Sequence, residues 1–381
     1  MVAVRILVKA AFSVFSGYGK DSLGLTKALV AAGCDVYLDP VVMTPPLPEE
    51  IAGLMTKPLV APFDLLIHHV DPGALVLEQH TARAAKTRVA WTMWERSSLD
   101  NLNNKASLKK RFNGAYDLLL TYDQVTQGAF EPYMRRTRAF GSLPPVGLLQ
   151  GGYDPSEWSF VDRDWAKPRF NFCMVGQLHE RKDPWVAIEA FRELKEEFPE
   201  EFEPAELHLK TNILGLHPGL EDLIPKLKIY YDVWPPEKLK AFYEQMHVLL
   251  APSRGEGKNL PALEMMSTGG AVIATNWGGH TGWMNSEYAY PLDYTLGIPD
   301  PRFPECKEAR ASKEHLKELM LRVFRDRAET RRKGEIASNV IPQMMSWDKV
   351  VDDLFRRVRD LIPEKGRPLY DQYARLTSTR D

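Results

Sequence analysis

Cysteine is scarce in this sequence: Cys34, Cys173 and Cys306 are the only three in 381 residues, and they are far apart. They supply neither a disulfide framework nor the paired spacing of a zinc site, so a reducing compartment is expected. Long apolar runs are missing as well. No window approaches the ~18 uninterrupted apolar residues of a membrane span. Arg5 and Lys9 break the apolar start MVAVRILVKAAFSVF, which reads as a first buried strand and not as a signal peptide. A soluble, cytoplasmic protein is expected. Nor is there an excess of one charge: 49 Lys and Arg stand against 51 Asp and Glu, a net −2. That excludes a nucleic-acid coat or a histone-like role. Low-complexity tracts are absent, and no repeat goes beyond a coarse likeness of the two halves.

What is present divides the chain. At ~100–200 residues per domain, a chain with 44% hydrophobic residues favours two domains, each able to bury a core. In the first, residues 2–8 read as an apolar strand and Ser16-Gly17-Tyr18-Gly19 as a turn. Leu23, Leu25, Ala28 and Leu29 give residues 22–32 a helical spacing, and a strand follows at 34–41. This βαβ order begins a parallel sheet with helices on both faces. It continues through a strand at 64–70, a helix at 73–85 and strands at 88–94 and 115–122. Turn residues gather over 147–168, where a hinge between domains is placed.

A second α/β set follows, with strands at 169–176, 205–211, 228–234, 247–253 and 271–275 and helices at 185–198, 236–246 and 260–267. Asp183-Pro184 reads as an N-cap with proline at the first helical position. Residues 311–332 form one charged helix, Ser346-Trp347 opens a last one through Leu361, and the polar tail from Pro363 is expected to be loose. Two successive α/β halves place a ligand cleft between them, at the carboxyl ends of the strands.

The chemistry concentrates in PSRGEGKNLPALEMMSTGGAVIATN, residues 252–276. Asn259 is placed as the N-cap and Pro261 in the first turn of a helix carrying Glu264, so the loop with Glu256 feeds a helix N-terminus. Exposed amides and the macrodipole there make a seat for phosphate oxygens, and a carboxylate one turn in accepts from two adjacent hydroxyls such as those of a ribose. A glutamate pair at this spacing is common by chance. The flanking strand, proline and glycine context carries the functional reading.

With HVLLAPS upstream and GGAVIATNWGG downstream, this segment resembles the donor-site motif of the retaining glycosyltransferases of family 4 (group 1 type). Further matches follow in order over most of the chain: Ser16-Gly17-Tyr18-Gly19, GLLQGGYDPSEW, MVGQLHERKD and the SWDKVVDDL helix. The resemblance implies the GT-B fold, an α/β architecture of two facing Rossmann-like domains with parallel sheets and a cleft between them. Residues 1–155 would be the acceptor domain and 156–345 the nucleotide-sugar donor domain, with 346–381 a helix crossing back to the first domain plus a tail. It implies transfer of a hexose from a UDP- or GDP-hexose to a hydroxyl of a glycan, lipid, protein or small molecule, with no metal or other cofactor required. The same resemblance makes Lys182 the diphosphate cation, Glu256 the contact to the sugar hydroxyls and Glu264 the ribose contact. Gly17 and Gly19 let backbone approach the diphosphate, and a histidine at the end of a first-domain strand, taken as His69 beside His68, lies near the anomeric carbon. Gly257, Asn259 and Leu260 complete the donor loop.

Three positions depart from the family pattern. Gln177 stands where an arginine follows the strand-end glycine, leaving Arg181 or Arg254 to supply that cation. Lys258-Asn259 replaces Phe-Gly in the turn, and Trp94-Glu95 stands where many members have a histidine. His68, Trp94 and Glu95 are read as acceptor or cleft candidates beside plainer roles, a structural histidine, a core indole and a salt bridge. The run from Lys105 to Phe112 and the cluster Arg135, Arg136, Arg138 make residues 1–150 mildly basic, with 16 cations against 13 acids. A solvated helix face is the plain account, a weak membrane or anionic-acceptor contact the other. Two alternatives use the same fold: transfer to a modified base in duplex DNA, as in some viral enzymes, or a nucleotide-sugar binding protein without turnover.

Overall fold

The computed structural model describes residues 3–100, 107–135, 141–156, 158–213 and 220–378. Lys105, Arg136 and Arg138 of the two basic clusters lie outside them. The chain forms two compact units: unit 1 from 1–153, 300–306 and 345–381, and unit 2 from 154–299 and 307–344. The short segment 300–306, read above as part of the second domain, belongs to unit 1, where the Ser97 hydroxyl donates to the Glu305 carbonyl (3.0 Å).

Unit 1 is built on strands β1 (Arg5–Ser13), β2 (Asp35–Thr44), β3 (Phe63–His69), β4 (Ala85–Thr92), β5 (Leu118–Thr121) and β6 (Val146–Leu148). They form one parallel sheet in the order β2-β1-β3-β4-β5-β6. Its helices are α1 (Gly17–Ala31), α2 (Glu49–Met55), α3 (Gln79–Ala84), α4 (Leu108–Phe112) and α5 (Gln124–Met134). Unit 2 repeats the plan with β7 (Phe170–Val175), β8 (Ala205–Thr211), β9 (Leu227–Tyr231), β10 (Val248–Ala251), β11 (Ala271–Thr275) and β12 (Tyr290–Leu292), ordered β12-β11-β10-β7-β8-β9 and again all parallel. Helices α6 (Pro184–Glu197), α7 (Leu220–Leu223), α8 (Pro236–Tyr243), α9 (Leu260–Ser267), α10 (Lys313–Arg325) and α11 (Arg327–Met344) belong to it, with the antiparallel pair β13 (Tyr294–Gly297) and β14 (Glu308–Ala311). Every residue of β7, β8, β10 and β11 is buried, the continuous burial expected of parallel strands covered on both faces.

Strand order reverses once in each sheet, between β1 and β3 and between β7 and β10. Loops leaving the carboxyl ends there run in opposite directions and open a crevice. These two points are where ligand chemistry is to be sought.

The chain returns to unit 1 through α12 (Trp347–Leu361) and α13 (Pro363–Thr377). A Cβ at Gly24 or Gly152 would stand 2.1 or 2.4 Å from the Trp347 indole, so these glycines make its berth. The tail from Pro363 is thus helical and not loose. Tyr373 stacks on Phe355 at 3.9 Å, and Gly366 lets α13 pass against the Val358 carbonyl. Three further differences have local causes. The helix read over 73–85 is a single 3-10 turn and then α3: Asp71 caps the turn through Gly73 N (2.7 Å), and Leu75 leaves helical geometry (ψ 73) and is fully buried. The charged helix over 311–332 breaks at Asp326, whose carboxylate accepts from Glu329 N (2.8 Å) and starts α11. Gly17 and Gly19 lie in the first turn of α1 and not in a loop, because the Ser16 hydroxyl accepts from Gly19 N (3.1 Å).

Candidate functional site

In unit 2, β7 ends at Val175 and the chain turns at Gly176 with φ 134, a conformation natural to glycine. Gln177 is exposed, and a 3-10 turn over Glu180–Lys182 follows, capped by His179. This turn aims two cations at the loop after β10. Lys182 Nζ donates to Glu256 Oε1 at 2.5 Å, and Arg181 lies 3.4 Å from Oε2 while also donating to the Gly255 carbonyl. Glu256 is 5% exposed. Burial alone would raise its pKa, but the charges of Lys182, Arg181 and His280 outweigh it and hold the carboxyl well below the usual range.

The glycines downstream bring the loops after β10 and β11 into backbone contact. Gly279 N donates to the Glu256 carbonyl (2.7 Å), and a Cβ on Gly279 would stand 2.0 Å from the Gly257 carbonyl oxygen. Asn259 precedes α9 in the left-handed region (φ 70), but its side chain does not cap the helix. Its Nδ2 instead donates to His280 Nε2 (2.9 Å), while His280 Nδ1 donates to the Thr275 carbonyl (2.8 Å). That tautomer is the neutral imidazole, and burial lowers the His280 pKa accordingly. The first turn of α9, with Leu260 at its start and Pro261 next, therefore lacks a side-chain cap. Glu264 is buried within α9, and Tyr243 donates its hydroxyl to Oε2 (2.9 Å).

Arg254 does not join this group. Its guanidinium is taken up by three carboxylates, Asp183 (2.9 Å), Glu180 (2.7 Å) and Glu308 (3.4 Å). Asp183, read as the N-cap of α6, sits at φ 48 without a side-chain cap bond, because its carboxylate is held by Arg254. Of the two arginines weighed against Gln177, Arg181 is the one beside Glu256.

In unit 1, the rim of the sheet is closed by hydrogen bonds among buried polar groups. His69 is fully buried. Its Nδ1 lies 3.0 Å from Ser22 Oγ and its Nε2 2.8 Å from the Tyr122 hydroxyl, which donates to Asp21 (2.7 Å). Trp91 stacks on the ring at 4.5 Å and Tyr18 covers it at 5.1 Å. His68 points to the other face, against Tyr116 (2.6 Å), where burial pushes its pKa down to about 4. A Cβ at Gly19 would stand 2.4 Å from the Ser13 carbonyl oxygen, whereas Gly17 has open space. Trp94 donates from Nε1 to the Ser98 carbonyl (2.8 Å) and packs beside the core. Glu95 is half-buried, and its charge adds to the burial that pushes Asp123 up to about 6.

Sequence reasoning missed His280, Tyr243, Asp21, Ser22, Tyr122 and Asp123. A signal existed for two: Asp21 and Ser22 interrupt the apolar face of α1, which polar residues do only when they have buried partners. Among the described residues no group of three or more His, Cys, Asp or Glu is placed to hold a metal ion, and no helix is long and apolar enough to cross a membrane.

Residues 169–289, which hold the whole ionic cluster, match the family Glycosyl transferases group 1. A D-inositol 3-phosphate glycosyltransferase of Corynebacterium jeikeium (strain K411) is 27% identical over 182 residues, covering 42% of this chain and 41% of that protein. The chain thus spans about two fifths of that curated relative. Among solved structures, a UDP-forming α,α-trehalose-phosphate synthase from Burkholderia xenovorans superposes with a TM-score of 0.66 at 13% identity, over 95% of this chain and 100% of the other. The Anabaena protein HepE in complex with UDP and glucose gives 0.61 at 13% identity, over 93% and 99%. At such identities the likeness speaks for the fold alone. The chain therefore has the two-unit α/β fold of the GT-B glycosyltransferases, and its segment 169–289 is similar to the Glycosyl transferases group 1.

Proposed function

We propose that the protein is a retaining glycosyltransferase of family 4 that moves a hexose from a nucleoside diphosphate sugar to a hydroxyl acceptor, with the donor held by unit 2. The observation that carries this reading is the convergence of Lys182 and Arg181 on Glu256 at the β7/β10 switch point, inside the matched segment. A switch-point crevice lined by two cations, a neutral histidine and the uncapped start of α9 suits a diphosphate. Glu256, kept ionised, is an acceptor for sugar hydroxyls at any working pH. As the anomeric bond breaks, charge grows on the leaving diphosphate, and a lysine already positioned there stabilises it without reorganisation. Glu264 takes the ribose hydroxyls. Gly17, Gly19 and the rim residues Trp94 and Glu95 are read as unit 1's contribution to donor approach and acceptor binding. His69, engaged at both nitrogens, is read as holding that rim together and not as a base.

A thermal-shift panel of UDP- and GDP-hexoses identifies the donor, since a ligand at 100 times its Kd adds about 2.7 kcal/mol. Transfer is then followed by NMR of the anomeric proton. The configuration of the donor is retained in the product, and Lys182→Met lowers turnover on the order of 100-fold or more. An inverted product, or turnover indifferent to Lys182→Met, defeats the reading.

A further inference from the structure

Glu264 has one neighbour whose own placement is unusually well fixed. Tyr243, fully buried at the end of α8, donates its hydroxyl to Glu264 Oε2 at 2.9 Å. Trp158 stands edge-on to its ring at 5.5 Å. The Tyr243 carbonyl accepts from Arg163 Nη2 (2.9 Å), and that guanidinium also donates to the Met246 carbonyl (2.6 Å), the Thr268 hydroxyl (2.7 Å) and the Thr268 carbonyl. Thr268 is the C-cap of α9, and its own N–H donates to the Glu264 carbonyl (3.2 Å). One buried arginine therefore grips the carboxyl ends of α8 and α9 together. Every acceptor it meets is a carbonyl or a hydroxyl, and burial brings its pKa to about 10, still charged at neutral pH.

We propose that Tyr243 is a positioning residue, anchored by Arg163, that orients the Glu264 carboxylate toward the ribose of the donor nucleotide. The inference rests on the ribose reading of Glu264 given above. A carboxylate on a helix rotates about three side-chain torsions, and it grips a vicinal diol well only when one torsional state is enforced. A bond from Tyr243 to Oε2 enforces one. Arg163 fixes the distance over which that bond forms, because its planar fork holds the Tyr243 carbonyl at the end of α8, the Met246 carbonyl just beyond it and the Thr268 cap of α9 in one geometry. The Asp-Arg-Asp sequence at 162–164 thus has its use in the arginine: Asp162 pairs with Arg331 (3.5 Å) and Asp164 with Lys167 (3.5 Å), both on the outside.

The test is ribose discrimination, measured by isothermal titration of UDP, GDP and ADP, each beside its 2′-deoxy counterpart. A hydroxyl bonded to an ionised carboxylate is worth about tenfold or more in affinity, so the native protein prefers the ribonucleotide by about that factor. Tyr243→Phe keeps the fold and the ring packing, weakens the ribonucleotide and leaves the deoxynucleotide unchanged, so the preference shrinks to about threefold. Arg163→Lys moves it in the same direction. A Tyr243→Phe protein that keeps the full preference, or that loses affinity equally for both nucleotides, overturns the proposal. Glu264→Gln separates the two levels: if it abolishes the preference while Tyr243→Phe does not, only the positioning role fails. If native protein and Glu264→Gln discriminate equally, or no nucleotide binds, the ribose reading fails with it.

Discussion

The two units solve the same topological problem with opposite materials. Each has a switch point in a parallel sheet, and each fills it with buried polar groups. In unit 1 these are hydroxyls, an imidazole and a carboxylate, joined as Ser22–His69–Tyr122–Asp21 and roofed by Trp91 and Tyr18. In unit 2 they are full charges, two cations around one carboxylate, with a third cation, Arg254, bound to three further acids. The carboxylate of the first network, Asp21, accepts from a hydroxyl, whereas Glu256 is held by cations. The ion cluster is the one suited to the charged donor of the proposed function, since Lys182 and Arg181 already stand together there. Under the proposed function the His69 network supports the first rim, whereas the Glu256 cluster meets the donor.

The largest effect that separates them is on turnover. Glu256→Gln leaves Lys182 and Arg181 without their buried counter-charge and weakens the proposed sugar contact. Turnover falls on the order of 1000-fold and unit 2 loses about 3 kcal/mol in denaturant titration. His69→Phe costs unit 1 about 2 kcal/mol through its stranded partners but leaves nucleotide affinity unchanged. If His69→Phe abolishes transfer in a stably folded protein, the first rim takes part in the chemistry and the contrast collapses.

Acid sharpens the comparison next. Burial holds His208 at about 4 and His247 at about 3 in unit 2, and lowers His280 as well. The unfolded chain binds protons below pH ~6.5 that these folded sites refuse, so stability falls as pH drops from there. At pH 5 each of the first two costs about 2 kcal/mol. Unit 1 has His68, held at about 4. It also has Asp123, raised by burial to about 6, which binds its proton more readily folded than unfolded and adds stability as pH falls through that value. Hydrogen exchange at pH 5 should show unit 2 opening before unit 1, with the order lost at pH 7.

The smallest effect concerns the donor loop itself. Asn259→Gly keeps the left-handed backbone and loses only the bond to His280, so about 1 kcal/mol is expected. Asn259→Ala loses both, and about 2 kcal/mol is expected from thermal melts. Equal costs would mean that the His280 bond, and not the backbone conformation, sets this turn.

Much of unit 2 was legible because its strands are buried on both faces and show as uninterrupted apolar runs. Leu260–Ser267 and Ala271–Thr275 have the bounds that the sequence suggests. Helix α13 was not legible, since its polar face dominates the sequence and only Gly366, Leu369 and Tyr373 are buried in it. Lys182, Glu256 and Glu264 could be picked out through local motifs. The fate of Arg254 could not, because it depends on Glu308, a residue from another part of the chain that no local pattern links to it. Asn259 shows the same limit: the cap was readable from residue type, but its amide goes to His280, which only the packing of two loops brings near.

The return of α12 and α13 to unit 1 also has a consequence in time. Unit 2 is complete once residue 344 has been made, whereas the berth between Gly24 and Gly152 stays empty until Trp347 emerges. On the ribosome, the unit that begins first is finished last. Its exposed α1 face and the stretch of sheet around Trp91 must wait, uncovered, through the synthesis of nearly two hundred intervening residues (154–344).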